Sequence, residues 1–217
     1  MPTGSGPGLP NDLLPMTLWR GQNPLILASQ SRTRKMLLAN AGLRFETMPA
    51  DIDERALQQR SKLSAPGEIA GLLAREKTRW VSARKAGHYV IGADQTLALG
   101  NRLFNKPDGR AAAAEQLRAL SGQTHELHSA IAVAIDGKIA FETVAVARMA
   151  MRPLSGDEIR LYLDEAGEAV TTSVGAYQLE GLGVHLFERI EGDHFTILGL
   201  PLLPLLGFLR RERLIGL

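Results

Sequence analysis

The chain contains no cysteine. This absence excludes disulfide bonds, thiolate metal sites and cysteine nucleophiles, and it fits a reducing compartment such as the cytoplasm. No stretch approaches 18 consecutive apolar residues, so the sequence predicts no membrane-spanning helix. Residues 1–24 also lack the basic start and apolar stretch of a signal peptide. We therefore expect a cytoplasmic protein without a membrane partner.

Aromatic side chains and an excess charge of either sign are also scarce. The chain has 25 basic and 23 acidic side chains, a formal net charge of +2, and only 5% aromatic residues. Binding of nucleic acids needs a basic surface, often interleaved with aromatic side chains. The composition therefore predicts no nucleic-acid partner. If the protein binds an anion, a few cations must converge on it from fixed positions.

The chain has 217 residues, 45% of them apolar, which is enough for one α/β domain with its own core. Residues 1–24 hold five of the eleven prolines and four of the 22 glycines, and they show no apolar period. We expect a disordered or loosely docked leader over 1–24 and a single domain over 25–217.

From residue 24 onward, short apolar runs alternate with helix-start signals, which predicts an α/β fold. The predicted strands cover 24–29, 89–94, 124–135 and 138–151, with a hairpin turn at Asp136–Gly137 and further short strands within 174–199. The predicted helices run from Ser31 to Gly42, from Ser64 to about Ala86, from Asp108 to about Leu120, from Ser155 and from Pro201.

The segment after the first predicted strand carries two hydroxyls and an arginine at a helix start. Ser29 ends the strand, Ser31 begins the helix, and Arg34 follows about one turn later. Free N–H groups at a helix start attract anions, and a guanidinium can bind phosphate with two hydrogen bonds. These residues form a candidate phosphate site, although serine is also an ordinary helix cap and arginine an ordinary solvent-facing residue.

Asp94 directly follows the second apolar strand, at the edge where open α/β sheets bind ligands. A carboxylate there can hold Mg²⁺ or orient a water molecule, or it can serve only as a turn or helix cap. Lys77, inside a predicted helix, and Lys106, directly before Pro107, are candidate phosphate ligands or ordinary solvated lysines.

Two further acidic positions are candidates. Asp51, Asp53 and Glu54 cluster after a strand, where carboxylates two residues apart can share a metal ion or simply lie in a loop. Glu180 lies between glycines that permit close backbone approach. A buried acid there needs donors such as the amino edge of a base, and the alternative is a solvent-facing strand residue.

Several motifs of other enzyme classes are missing. The chain has no GxxxxGK[ST] loop, GxSxG elbow or GxGxxG fingerprint, so P-loop, hydrolase-elbow and Rossmann functions lose their main support. His125 and His128 are three residues apart on a predicted strand and lie on opposite faces, which disfavours a shared zinc ion.

An ordered set of segments extends from Leu25 to about Leu209: LILASQSRTRKMLL, ADIDE, AREK, VIGADQT, NKP, LSGQTHE, RPLS, GAYQLEGLG and ERIEGDHFTILGLP. In this order they resemble the Maf-type nucleoside triphosphate pyrophosphatase family. The resemblance implies an α/β fold with a central mixed, bent sheet flanked by helices and an active cleft between two lobes. It implies hydrolysis of the α–β phosphate bond of a nucleoside triphosphate, with Mg²⁺, Mn²⁺ or Co²⁺ as cofactor, by a homodimer.

The resemblance also implies a role for each matching residue. Asp94 matches the proton acceptor and is a candidate metal ligand, and whether Asp94 or the metal activates the water stays open. The family's phosphate-binding loop is matched by Ser29, Ser31 and Arg34. Its charged cleft residues are matched by Asp53, Lys77 and Lys106, and its base-selectivity positions by Thr33, Gln95 and Glu180.

Departures from the family pattern bear on the base. The dTTP/UTP-type members carry Asp-Thr and Ile-Gln-Gly where this chain has Asp94-Gln95 and Leu179-Glu180-Gly181, and the loop SPRR is changed to Arg32-Thr33-Arg34 after the serine. In the resemblance, these features are closer to members that take 7-methyl-GTP. A carboxylate at Glu180 fits such a substrate, because it can accept from the N1–H and amino groups of guanine. The alternatives are a dTTP/UTP-type pyrophosphatase and a nucleotide-binding regulator of cell division without turnover.

Overall fold

The computed structural model describes residues 18–217, and seven strands within them form one mixed sheet. The strands are β1 (Leu25–Leu27), β2 (Phe45–Thr47), β3 (Val90–Leu99), β4 (Arg102–Phe104), β5 (Thr124–Ile135), β6 (Lys138–Met151) and β7 (Phe187–Glu191). Their order across the sheet is β2-β1-β3-β5-β6-β7, with β4 paired to β3. β1 is parallel to β2 and β3, and the other pairs are antiparallel.

Helices cover both faces of this sheet. They are α1 (Arg32–Asn40), α2 (Glu54–Ser61), α3 (Pro66–Ser82), α4 (Arg110–Leu120), α5 (Gly156–Ala166), α6 (His194–Ile197) and α7 (Leu202–Arg211). Short 3₁₀ turns cover Gly167–Thr171, Val174–Ala176 and Leu182–Leu186.

Strong local signals in the sequence give correct boundaries. The hairpin of β5 and β6 has the predicted ends, and its turn places Asp136 and Gly137 at positive φ. The capping box at Ser155 and Glu158 begins α5, and Ser31 caps α1. At each of these places a few neighbouring residues decide the conformation, because the bonds that fix it are local.

Several predicted boundaries and one predicted region differ from the structure. α3 is capped by Ala65 rather than Ser64, and it ends at Ser82 instead of near residue 86. α4 follows an extended Gly109 without a side-chain cap, so Asp108 is not its cap. The region 174–199 contains one strand, β7, and is otherwise built of turns and α6. Positive φ angles near its start, as at Gly175, prevent a strand there.

Residues 18–24 belong to the predicted leader, but in the structure they pack on the domain. Trp19 forms a β-bridge with Ile215, and the N–H of Arg20 donates to the C=O of Leu214 at 2.8 Å. Burial of the large indole surface favours this contact. The prediction for residues 1–17 lies outside the described residues. Between residues 18 and 217, no helix is long and apolar enough to cross a membrane.

α3 covers one face of the sheet and lies very close to β3. A Cβ at Gly92 would lie 2.1 Å from Thr78 Oγ1 and 2.6 Å from the carbonyl oxygen of Ala74. Only glycine therefore fits at this position in β3. Side chains alternate along a strand, so Asp94, two residues further on, faces α3 as well. Gly92 thus sets the spacing between α3 and Asp94.

On the opposite face, the core is divided into two clusters. Ile91 and Ala93 of β3 belong to the first, which also holds side chains of β1, α1 and α7. Leu97 belongs to the second, with side chains of α4 and α5. Between them Gln95 pairs in register with the buried Ser129 of β5. This polar pair separates two lobes, and the predicted mixed sheet, flanked by helices and with a cleft between lobes, is confirmed.

Candidate active site

A cleft of about 740 Å³ opens where β1 ends and β3 continues past it. The last pair between these parallel strands joins Leu27 to Ile91, whereas β3 runs on to Leu99. The cleft therefore lies at the carboxyl end of β1, where ligands bind in open α/β sheets. Nine of the ten predicted site residues line it: Ser29, Ser31, Thr33, Arg34, Lys77, Asp94, Gln95, Lys106 and Glu180.

The sequence predicts that Asp94 ends its strand. In the structure Asp94 lies inside β3, because the strand continues to Leu99. It pairs with Ala130 of β5 on one side. On the other side β1 has already ended, which leaves the carboxylate next to the cleft. Only 8% of the residue is exposed.

Lys77 of α3 joins two carboxylates beside the cleft. Its Nζ donates to Asp94 Oδ1 at 2.6 Å and lies 2.9 Å from Glu54 Oε1. The side chains of Lys77 and Asp94 are 13% and 12% exposed, so water screens their attraction weakly. The other oxygen of Asp94, Oδ2, has no hydrogen-bond partner in the described part of the chain.

The environment of Asp94 changes its acidity. Burial raises the pKa of the carboxyl above its usual range, and the charges of Lys77 and Arg34 partly offset that effect. A carboxylate with a raised pKa is a better proton acceptor near neutral pH than an ordinary one. Asp94 therefore has the position and the chemistry of a general base.

Of the acidic cluster before α2, the structure brings Glu54 and not Asp53 to the cleft. Asp53 Oδ1 accepts the N–H of Ala56 at 2.9 Å, which makes Asp53 the N-cap of α2. Glu54 is the first residue of that helix and reaches Lys77. The acidic spacing alone could not separate a cap from a cleft residue, because only the direction of the helix decides it.

Arg34 lines the cleft and connects three segments of the chain, those at Ser29, Ala93 and Gly199. Its Nε donates to the C=O of Gly199 at 2.8 Å, and its Nη1 donates to the C=O of Ala93 at 2.9 Å and to Ser29 Oγ at 3.3 Å. Burial lowers the pKa of Arg34, and the guanidinium nevertheless stays charged. Nη2 of Arg34 donates no hydrogen bond to residues 18–217, so its N–H groups remain available to a ligand.

The start of α1 opens onto the cleft. Ser31 Oγ accepts the N–H of Arg34 at 3.3 Å, and Ser29 Oγ accepts the N–H of Ser31 at 3.2 Å. The N–H groups of the first helical turn have no acceptor within the helix, and such groups attract anions. The structure therefore places both serines at the start of α1 beside the cleft, where Ser31 is the N-cap.

Glu180 crosses from the second lobe to the first. Its Oε1 accepts the hydroxyl of Thr33 at 2.8 Å. Glu180 lies in an exposed turn and is neither buried nor on a strand, which corrects both conformations considered from the sequence. Because Glu180 is exposed, its carboxylate does not require a protein donor, and the hydroxyl of Thr33 fixes its direction.

Gln95 presents only its carbonyl oxygen to the cleft. Its Nε2 donates to Ser129 Oγ at 2.8 Å and contacts the C=O groups of Thr196 and Ile197 at 3.2 and 3.0 Å. Because these backbone groups are acceptors, the amide nitrogen must point at them. Gln95 Oε1 therefore remains as a hydrogen-bond acceptor beside Gly199.

Lys106 is exposed in the loop after β4 and lines the cleft. Sequence reasoning missed several other polar residues that line it, because their elements come together only in the fold: Arg55, Gln58, Asn105, Thr172, Ser173 and Gln178.

Residues 18–217 hold no cluster of three or more metal-ligating side chains. Glu54 Oε1 and Asp94 Oδ1 both contact Lys77 Nζ. Mg²⁺ is commonly held by one or two carboxylates together with substrate phosphates and water. Asp94 and Glu54 could supply only part of the ligands of such a cation, and a bound phosphate and water would have to supply the others.

The chain is similar to several known proteins. The Maf-like protein family model matches residues 24–212. A nucleoside triphosphate pyrophosphatase of Bradyrhizobium diazoefficiens is 72% identical over 201 residues, covering 93% of this chain and 100% of that protein. A 7-methyl-GTP pyrophosphatase of Rhizobium etli is 55% identical over 188 residues, covering 86% and 94%. A solved HAM1 protein from Coxiella burnetii has a TM-score of 0.39 and 20% identity, over 58% of this chain and 72% of that one. The family match and these identities show that the chain belongs to the Maf-like protein family.

Proposed function

We propose that this protein is a nucleoside triphosphate pyrophosphatase that hydrolyses the α–β phosphate bond to give a nucleoside monophosphate and pyrophosphate. The observation that carries the proposal is the carboxylate of Asp94, which is buried, fixed by Lys77 through Oδ1, and free at Oδ2 beside the cleft. The name of the Bradyrhizobium diazoefficiens relative supports the same reaction.

The cations around the cleft suit a triphosphate. Lys77, Lys106 and the free end of Arg34 line one cavity, together with the start of α1. Catalysis of phosphoryl transfer depends mainly on positioning and on charge stabilisation. These groups would hold the phosphates and stabilise the charge that develops on the leaving pyrophosphate.

In the proposed step, a water oxygen attacks the α phosphorus while the bond from that phosphorus to the bridging oxygen breaks. The proton of the water passes to Asp94 Oδ2, and pyrophosphate leaves with the electron pair of the broken bond. Lys77 keeps Asp94 oriented because it holds the other carboxylate oxygen.

Asp94 and Glu54 are the residues that would hold Mg²⁺, or Mn²⁺ or Co²⁺ in its place. When bound, the cation would neutralise phosphate charge and polarise the reacting phosphoryl group.

Two acceptors at the base end of the cleft favour a guanine-type base. Glu180 offers a carboxylate, and Gln95 offers only Oε1. Guanine presents adjacent donors, N1–H and the 2-amino group, and methylation at N7 adds a positive charge that a carboxylate attracts. The Rhizobium etli relative carries the name of a 7-methyl-GTP pyrophosphatase. We therefore propose 7-methyl-GTP as the preferred substrate.

Pyrophosphate release from 7-methyl-GTP, GTP, UTP and dTTP, with and without Mg²⁺, tests this function. We expect the highest kcat/KM with 7-methyl-GTP and turnover only with the cation. Preference for UTP or dTTP would instead indicate a pyrimidine-type enzyme. Tight nucleotide binding without pyrophosphate release would overturn the proposed reaction and favour a regulatory role.

Glu180→Gln tests the assignment of the base end. We expect the ratio of kcat/KM for 7-methyl-GTP over UTP to fall about tenfold, because one charged hydrogen bond is weakened. Glu115→Gln, at an exposed position on α4, is the matched control and should leave the ratio unchanged. An unchanged ratio in Glu180→Gln would show that this side chain does not contact the base.

A further inference from the structure

Residues 174–180, which we call the Glu180 arm, carry Glu180 from the second lobe to the cleft. At the base of the arm, the N–H of Gly175 donates to Gln116 Oε1 at 3.1 Å. At its tip, Glu180 meets Thr33 of the first lobe at 2.8 Å. The arm is therefore anchored in one lobe while its functional end lies against the other.

The path of the arm depends on backbone conformations that its surroundings must hold. Gly175 has φ 80° and Ala176 has φ 62°. A residue with a side chain is strained in this left-handed region and persists there only when neighbouring contacts fix it. The hydroxyl of Tyr162 donates to the C=O of Ala176 at 3.2 Å, and the ring of Tyr177 follows directly.

His125 of β5 provides the anchor on the Tyr177 side. The histidine is fully buried, and its Nε2 lies 2.8 Å from the hydroxyl of Tyr177. The Tyr177 ring packs edge-on against Phe187 with centroids 4.8 Å apart. His125 Nδ1 is buried without a hydrogen-bond partner in the described part of the chain.

This arrangement is unfavourable for stability alone. Two buried polar side chains lose their hydration, and one nitrogen gains nothing in return. An apolar pair would fill the same space without that loss. The bond does provide a direction, since it fixes where the Tyr177 hydroxyl points, and Tyr177 itself lines the cleft three residues before Glu180.

We propose that His125 is a positioning residue for base recognition, which holds Tyr177 through its hydroxyl so that the Glu180 arm presents Glu180 to the base. The inference rests on the proposed function for the identity of the base, and neither His125 nor Tyr177 takes part in the proton transfer at Asp94.

The experiment compares the Kd of 7-methyl-GMP with that of UMP, measured by calorimetry, in wild type, Tyr177→Phe, His125→Leu and His125→Gln. Tyr177→Phe and His125→Leu should lower the preference for 7-methyl-GMP about tenfold, the effect of one lost interaction of the base. His125→Gln should retain most of the preference, because its amide can reach the position of Nε2. Glu180→Gln and the double variant Tyr177→Phe/Glu180→Gln complete a cycle.

The double variant should discriminate no less than Glu180→Gln alone, since both changes act through one contact. Additive losses, or equal weakening of both nucleotides, would overturn the proposal and leave a purely structural role. Tyr177→Phe changes one hydroxyl, so the cycle decides the question even if His125→Leu does not fold. Absence of pyrophosphate release by wild type would refute the proposed function alone, because the binding comparison needs no turnover.

Discussion

At Asp94, burial and the side chain of Lys77 meet two different requirements of the proposed general base. Burial favours a carboxyl that takes up a proton, and Lys77 fixes one oxygen so that the other faces the cleft. Glu54 completes the contact from α2, at 2.9 Å from the same Nζ. The three side chains therefore act as a unit, and removal of any one changes the environment of the other two.

Asp94→Asn should lower kcat by at least about 10², the low end for loss of a general base. The amide has nearly the same shape but takes up a proton far less readily than a carboxylate. Steady-state pyrophosphate release measures the effect, and Asp164→Asn, at an exposed carboxylate on α5, serves as the control with wild-type kcat. Wild-type turnover in Asp94→Asn would remove this residue from the mechanism.

Single residues also mark the limit of what the sequence predicts. Strand and helix signals or family segments predict the proposed phosphate loop, Lys77, Asp94 and Glu180, and the structure places these residues along one cleft. Asp53 and Glu54 differ by one position, and only the hydrogen bond from Ala56 to Asp53 shows which one turns away. The sequence also does not predict that Gln95 Oε1 is left as an acceptor. The orientation of the amide depends on the C=O groups of Thr196 and Ile197, which lie 101 and 102 residues further along the chain.

Among the elements, α3 has the closest relation to chemistry because it carries Lys77 to Asp94. Its approach to β3 depends on Gly92, where any Cβ would meet the helix backbone at Ala74. A helix that is displaced by a few tenths of an ångström would change the 2.6 Å contact between Lys77 and Asp94. Packing at one glycine thus determines the geometry of Asp94, the proposed general base.

Gly92→Ala should destabilise the fold by at least about 2 kcal/mol, since overpacking a tight core position costs this much. It should also lower kcat, because α3 must shift away from Asp94. Gly156→Ala is the matched control, since a Cβ there meets nothing within 4 Å. Urea unfolding and pyrophosphate release measure both effects, and a stability equal to wild type would show that α3 can adjust without loss.

The elements that the sequence predicted well are those fixed by local bonds, such as the β5–β6 hairpin and the capped start of α5. The turns in 174–199 were predicted poorly because long-range anchors hold them in positions that local preference does not favour. Ala176, with φ 62°, is the example. Its conformation depends on Tyr162 and Tyr177, which no pattern of neighbouring residues reveals.

For the whole molecule, the net charge of +2 gives no sign of the cleft, where cations from distant parts of the sequence meet carboxylates. Arg34, Lys77 and Lys106 are far apart in the sequence, yet they line one cleft with the carboxylates of Asp94 and Glu54. The chain is nearly neutral because its 25 basic and 23 acidic side chains almost cancel, and the cleft itself is lined by four basic and four acidic side chains. An anionic ligand should therefore be held by individually placed cations and not by a net positive field.

The global stability should depend on pH through His125. Burial lowers the pKa of His125 from its usual 6.5 to about 4. Between pH 6.5 and pH 4 the unfolded chain binds a proton at His125 that the folded chain does not. The contribution of the neutral histidine to the free energy of unfolding is therefore complete above pH 6.5 and is lost as the pH falls through 4. The loss approaches about 3 kcal/mol for the full shift. Ser155 and Arg152 lower the pKa of Glu158 from 4.5 to about 2, so its contribution is lost at more acidic pH.

Urea unfolding of wild type and His125→Gln at pH 7, 6, 5 and 4.5 isolates this contribution. The free energy of unfolding of wild type should fall more steeply with acidification, because glutamine has no proton to gain. The raised pKa of Asp94 acts in the opposite direction, since its protonation favours the folded state, but it is common to both proteins and cancels in their difference. Parallel curves would mean that His125 can be protonated inside the fold, which would require an acceptor or water at Nδ1.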